Sequence, residues 1–142
     1  MKTLYTFLTL ALIAFTLHLV WEWLHLPLYV GYQPTMLGMP VVLYATLGDV
    51  LYTFGVVALA IPFKRKINWI PSAGPWDYIT LAVLGFWVAL FVEYRGLVLG
   101  RWAYSATMPT VLGFGLSPLL QMTILLPLSV YLTNVWMKRS SR

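Results

Sequence analysis

The sequence predicts an all-α, polytopic membrane protein: one domain over residues 1–142, built as a bundle of four transmembrane helices with both termini inside. Three observations predict it. Only 9% of the 142 residues are charged and 61% are hydrophobic, whereas a soluble domain carries about 25% charged residues. Four continuous apolar segments, 4–26, 39–62, 77–99 and 111–136, each reach the ~20 residues that a span needs at ~1.5 Å rise per residue. Lys and Arg gather beside these segments unequally on the two sides.

The first segment follows Lys2, as in a signal peptide. It runs on to about residue 21 without an A-x-A cleavage site, so it is expected to stay as the first helix. The second follows the short connector "GYQPTMLGMP" (31–40), and the third follows the polar, Pro-rich "PFKRKINWIPSAGPWD" (62–77). The fourth follows "GRWAYSATMPT" (100–110), and Gly113, Gly115 and Pro118 loosen its start. Pro127 is placed to kink its middle. The segments are continuous rather than alternating, so strands are not expected. No internal repeat stands out. "GLVLG" (96–100) is a GxxxG at the end of the third segment and reads as internal packing.

With four spans, the termini and the 62–77 loop share a side. That side holds Lys2, Lys64, Arg65, Lys66, Lys138, Arg139 and Arg142, against Arg95 and Arg101 on the other. The imbalance predicts that both termini are cytoplasmic. It also explains the net charge of +5 as topology signalling, not a nucleic-acid footprint. Trp69, Trp76 and Trp136 fall near the inner boundary, and Trp21, Trp23, Tyr29, Trp102 and Tyr104 near the outer one. The chain has no cysteine, hence no disulfide, thiolate metal site or catalytic thiol. No N-x-S/T sequon or lipidation motif is present.

Polar groups inside the spans are the functional signal. Counting ~1.5 Å per residue, Glu22 lies ~27 Å along a ~30 Å core, with His18 one turn deeper. Asp49 lies ~14 Å below the outer boundary, Glu93 ~24 Å along the third span, and Gln121 one turn into the fourth. All four helices therefore place a polar group in the outer half. An ionisable group there costs about 2.5–3.5 kcal/mol to insert and faces a bundle interior or cavity. The plainer expectation is that Glu22 and Glu93 reach water at the boundary, with Arg95 pairing Glu93.

His18, Glu22 and His25 share one face of the first helix by their i, i+4, i+7 spacing. Three readings of that face are open. Glu22 and His25 form half of a di-iron E-x-x-H pattern whose second copy is absent, so no metal ligands are assigned. Either histidine could serve as an axial haem ligand, but the partner histidine would have to come from another subunit. The third reading is an acid/base or recognition site, with Glu22 and Asp49 as proton-carrying groups. No span contains a lysine, which excludes a retinal-type Schiff base.

"WEWLHLPLY" (21–29), "LGD" (47–49), "RGLVLGRWAYSATMP" (95–109) and "GLSPLLQ" (115–121) together resemble a family of small four-helix bacterial membrane proteins of uncharacterised function. That resemblance implies the bacterial cytoplasmic membrane and no particular activity. Glu22, Leu26 and Pro27 also look like the E-x-x-Q-L-P segment of the sigma-2 receptor and sterol isomerase (EXPERA) superfamily, with His25 in place of Gln and Asp49 on the next helix. The first helix of that superfamily is missing here, and an extra span intervenes before the last. Glu93, Trp102, Tyr104, Pro118 and Gln121 are similar to the acid, W-x-Y and Pro-flanked polar residue of small carotenoid cyclase domains. Both likenesses imply an isoprenoid- or sterol-like ligand.

The expected site is thus an outer-half pocket for a lipophilic ligand or membrane lipid, with Glu22 and Asp49 as acid/base groups. His18, His25, Glu93, Arg95, Trp102, Tyr104 and Gln121 are the ligand contacts. Binding, transport and isomerase or cyclase chemistry all fit, and no cofactor is specified. The rival is a non-catalytic accessory subunit of a larger membrane complex, or a homo-oligomer, in which these groups are structural hydrogen bonds.

Overall fold

The computed structural model describes residues 1–140; Arg142, counted above with the inner-side charges, lies outside the described residues. Helix α1 (Lys2–His25) buries one residue in every four: Thr6, Leu10, Ala14, His18 and Glu22. This stripe drifts little because four residues make slightly more than one helical turn. Leu26 is still right-handed helical at φ −48°, ψ −41°, and the helix ends there because Pro27 has no N–H to continue the hydrogen-bond ladder. A 3-10 turn over Leu26–Leu28 then leads to extended backbone at Tyr29.

Helix α2 (Met39–Leu59) starts with Pro40 in its first turn, where a missing N–H costs nothing. The short helix α3 (Ile61–Lys64) continues it and ends at Arg65 in left-handed geometry, φ 49°. Helix α4 (Pro75–Val98) is capped by the Asp77 carboxylate, which accepts the Gly74 N–H at 2.9 Å. Helix α5 (Leu116–Arg139) carries Pro127 within it. Four of the helical segments are long and apolar enough to cross a membrane: Lys2–Leu28, Met39–Lys64, Pro75–Val98 and Leu116–Arg139.

Helix α5 is the centre of the bundle. It packs on both α4 and α1, and α1 packs in turn on α2, which touches α4 only lightly. Accordingly α5 buries two adjacent columns, including Gln121, Leu125 and Ser129 on one and Met122, Leu126 and Val130 on the other. Neighbours run antiparallel, because residues late in α1 meet residues early in α5 (Glu22 with Gln121) and the reverse (Tyr5 with Trp136). Against α4 the approach is close. A Cβ on Gly85 would collide with the Met122 backbone, so only glycine fits there.

The fourth segment begins later than the apolar run suggested. Residues 111–115 are not helical. Thr110–Val111 (β1) pairs antiparallel with Phe114–Gly115 (β2), contrary to the expectation of no strands. The two linking residues, Leu112 and Gly113, have φ of 52° and 85°. Both being positive is the signature of a tight hairpin turn of type I′. Hydropathy cannot separate this hairpin from helix, since its residues are as apolar as the span that follows.

Candidate functional site

Three of the chain's four acids and both of its histidines lie at one end of the bundle, where α1 and α4 finish and α2 and α5 begin. The hub is Gln121. It sits one turn into α5 on the column that faces α1, and its side chain is buried. Its Nε2 donates to Asp49 Oδ2 at 2.7 Å and to Glu22 Oε1 at 2.8 Å. One amide nitrogen thus holds carboxyl groups from α1 and α2 side by side.

His18 Nδ1 approaches the same nitrogen at 3.2 Å and Asp49 Oδ2 at 3.4 Å. An amide nitrogen has two hydrogens and cannot serve three acceptors. With both spent on the carboxyl groups, the consistent assignment puts a proton on His18 Nδ1, directed at Asp49. The ring's other nitrogen, Nε2, is buried without a hydrogen-bond partner, and the residue is 0% exposed.

The second histidine differs. His25 Nε2 lies 3.1 Å from Glu22 Oε2, and its Nδ1 lies 3.0 Å from Ser117 Oγ. Both ring nitrogens are therefore engaged, and Glu22 uses one oxygen for His25 and the other for Gln121. Asp49 is the more open acid, its side chain 17% exposed against 11% for Glu22.

Glu93 forms a separate pair one helix away. Tyr104 donates its phenolic O–H to Glu93 Oε2. Burial, reinforced by the Glu93 carboxylate, pushes the Tyr104 phenol above its ordinary range. Burial and Glu93 do the same to Tyr29, so both phenols stay protonated. Tyr29 lies between the two clusters. Its ring meets His25 edge-on at 5.4 Å and Tyr104 at 5.8 Å. The backbone reinforces this arrangement: Val30 N–H donates to Ala103 O and Ser105 N–H to Leu28 O, each at 2.9 Å, clasping the α1–α2 connector to the α4–α5 connector.

The structure thus joins His18, Glu22, His25, Asp49 and Gln121 in one network, with Glu93 and Tyr104 beside it. Trp102 lies against Gly96, whose absent Cβ makes room for the indole, and meets Tyr29 edge-on at 6.4 Å. Arg95 is not brought in. It is exposed, its guanidinium 5.8 Å from the Phe91 ring. The expected Arg95–Glu93 pairing fails because residues two apart point to different faces of a helix.

Sequence reasoning overlooked Ser117 and Tyr29. Ser117 stands one turn before Gln121, so the same i, i+4 argument that joined His18 to Glu22 would have found it. Among the described residues, no group of three or more His, Cys, Asp or Glu side chains is arranged to hold a metal ion. Two apolar grooves lie on the flanks of the bundle, one lined by Trp87, Leu90, Phe91, Tyr94 and Phe114, the other by Leu19, Val20, Trp23, Leu24 and Met39. The networked side chains line neither. Comparison with protein-family models, curated proteins and solved structures finds no match to the chain.

Proposed function

We propose that the chain is an integral membrane protein of the bacterial cytoplasmic membrane, with both termini cytoplasmic. Its clustered acids form an intramembrane acid/base site for a lipophilic, isoprenoid- or sterol-like molecule. The observation that carries this reading is the pairing of Glu22 and Asp49 on the single nitrogen of Gln121. Two carboxyl groups held together away from bulk water readily take up a proton or a cation between them, because like charges so close repel. A proton donor in an apolar setting suits protonation of an alkene or an allylic group, and a neighbouring carboxylate suits the cation that results. Asp49, the more open of the two, is the group that meets the ligand. The orientation rests on Lys2, Lys64, Arg65, Lys66, Lys138 and Arg139, which share the opposite end of the bundle.

Native mass spectrometry of the purified protein tests this reading. One lipophilic molecule should be retained per chain and lost from Asp49→Asn and Glu22→Gln. Bare wild-type protein, or retention unchanged in both variants, would refute it. A second reading, an accessory subunit of a larger membrane assembly, is favoured by one feature: the polar groups are spent largely on one another, Glu22 on His25 and Gln121, Asp49 on Gln121 and His18. Stoichiometric co-purification of a partner subunit, with both variants indifferent, would support that role.

A further inference from the structure

We infer that His25 is the proton relay of this site, carrying protons between Glu22 and water at the bundle end through Ser117. The inference rests on the acid/base reading above and adds the route by which the acid is recharged. Three observations carry it. First, His25 is the last residue of α1 and Ser117 the second of α5, so both stand at helix ends, while Asp49 is ten residues, or ~15 Å, into α2. Second, the two nitrogens of His25 face different partners, Ser117 Oγ at 3.0 Å and Glu22 Oε2 at 3.1 Å. An imidazole passes a proton by gaining one on one nitrogen and losing one from the other. Third, His18 lacks this arrangement. It is 0% exposed, and its Nε2 meets no partner, so it holds Asp49 without leading outward.

The step balances with hydronium from bulk water as the only co-reactant. Ser117 Oγ gives its proton to His25 Nδ1 and takes one from hydronium, which is left as water. The Nε2–H bond of His25 breaks as the Oε2–H bond of Glu22 forms. The imidazole ends neutral, in its other tautomer, and one proton has moved from hydronium to Glu22. Release from Glu22 runs the same bonds backwards. The groups around His25 are Glu22 on α1, Ser117 on α5 and the Tyr29 ring at 5.4 Å, with Glu93 beyond on α4.

Time-resolved infrared spectroscopy of the full-length protein in detergent reads this directly. On mixing into D2O, the protonated-carboxyl C=O band shifts at the rate at which Glu22 exchanges. His25→Ala should slow that shift by about 10²-fold or more, the usual weight of a positioned acid/base group. Added imidazole should restore the rate, which a purely structural histidine would not allow. Ser117→Ala, a milder change, should slow exchange by about tenfold or less. Exchange as fast in both variants as in wild type overturns the relay, as does a wild type with no protonated carboxyl at any pH tested. Failure of the relay alone leaves lipid retention dependent on Glu22 and Asp49. Failure of the acid/base reading removes that dependence.

Discussion

The two ends of the bundle bury polar side chains in different ways. At the end holding the interhelical loop, Asn134 Nδ2 donates to the Ala73 carbonyl at 3.0 Å and the Tyr78 hydroxyl at 2.9 Å, and Trp69 Nε1 donates to the Val57 carbonyl at 3.2 Å. These donors are neutral, and they tie the loop back to the helices. The charged pair of this end, Lys64 with Asp77, is kept at the surface, its lysine 38% exposed. At the opposite end ionisable side chains are joined to one another or through Ser117 and Gln121, the amide of Gln121 holding two of the three carboxyl groups. Side chain–side chain bonds are normally only about 10–15% of a protein's hydrogen bonds. One end is polar in order to hold the fold. The other concentrates ionisable groups.

That contrast can be broken by removing the hub. Gln121→Leu leaves Glu22 and Asp49 buried without their shared donor. It should cost about 3 kcal/mol or more, because two hydrogen bonds to buried carboxyl groups are lost at about 1.5–3 kcal/mol each while His18 and His25 still hold the acids. Denaturant unfolding in micelles measures it, and adding Asp49→Asn and Glu22→Gln should recover part of the loss. A cost under about 1 kcal/mol would show that the carboxyl groups carry protons rather than charge.

Smaller effects sharpen the comparison. Gly85→Val, between the two ends, forces a side chain into the Met122 backbone and should cost about 1–3 kcal/mol by overpacking. Asn134→Leu leaves the Ala73 carbonyl without its donor and should cost about 1–3 kcal/mol, with lipid retention unchanged. Retention that falls with Asn134→Leu would erase the functional distinction between the ends. Lys64→Met should change stability by no more than about 1 kcal/mol, and added salt should shrink the difference, as for any exposed pair.

Much of this contrast was legible in the sequence. The four apolar segments and the common level of Glu22, Asp49 and Gln121 follow from a fixed rise per residue, and the structure places these side chains in contact. Three features were not read from it. The hairpin at 110–115 hides in hydropathy, because Val111, Leu112 and Phe114 are as apolar in a strand as in a span; only the Leu112–Gly113 backbone distinguishes it. Nearness in sequence groups Arg95 with Glu93, although helical geometry sends it to another face. The division of labour between the two histidines depends on which partner each ring nitrogen meets, and residue spacing along one helix carries no information about that.

The connection between Glu22 and Gln121 spans 99 positions of the chain, and that between His25 and Ser117 spans 92. During synthesis, Glu22 therefore waits for almost the whole protein before it meets Gln121, and His25 before it meets Ser117. The clasp of Val30 on Ala103 and Ser105 on Leu28 likewise joins segments made far apart in time. The hub of the network is thus absent until α5 is made. A chain that stalls before α5 keeps the Glu22–His25 contact within α1 but leaves Glu22 and Asp49 without the shared Gln121 donor and His25 without Ser117.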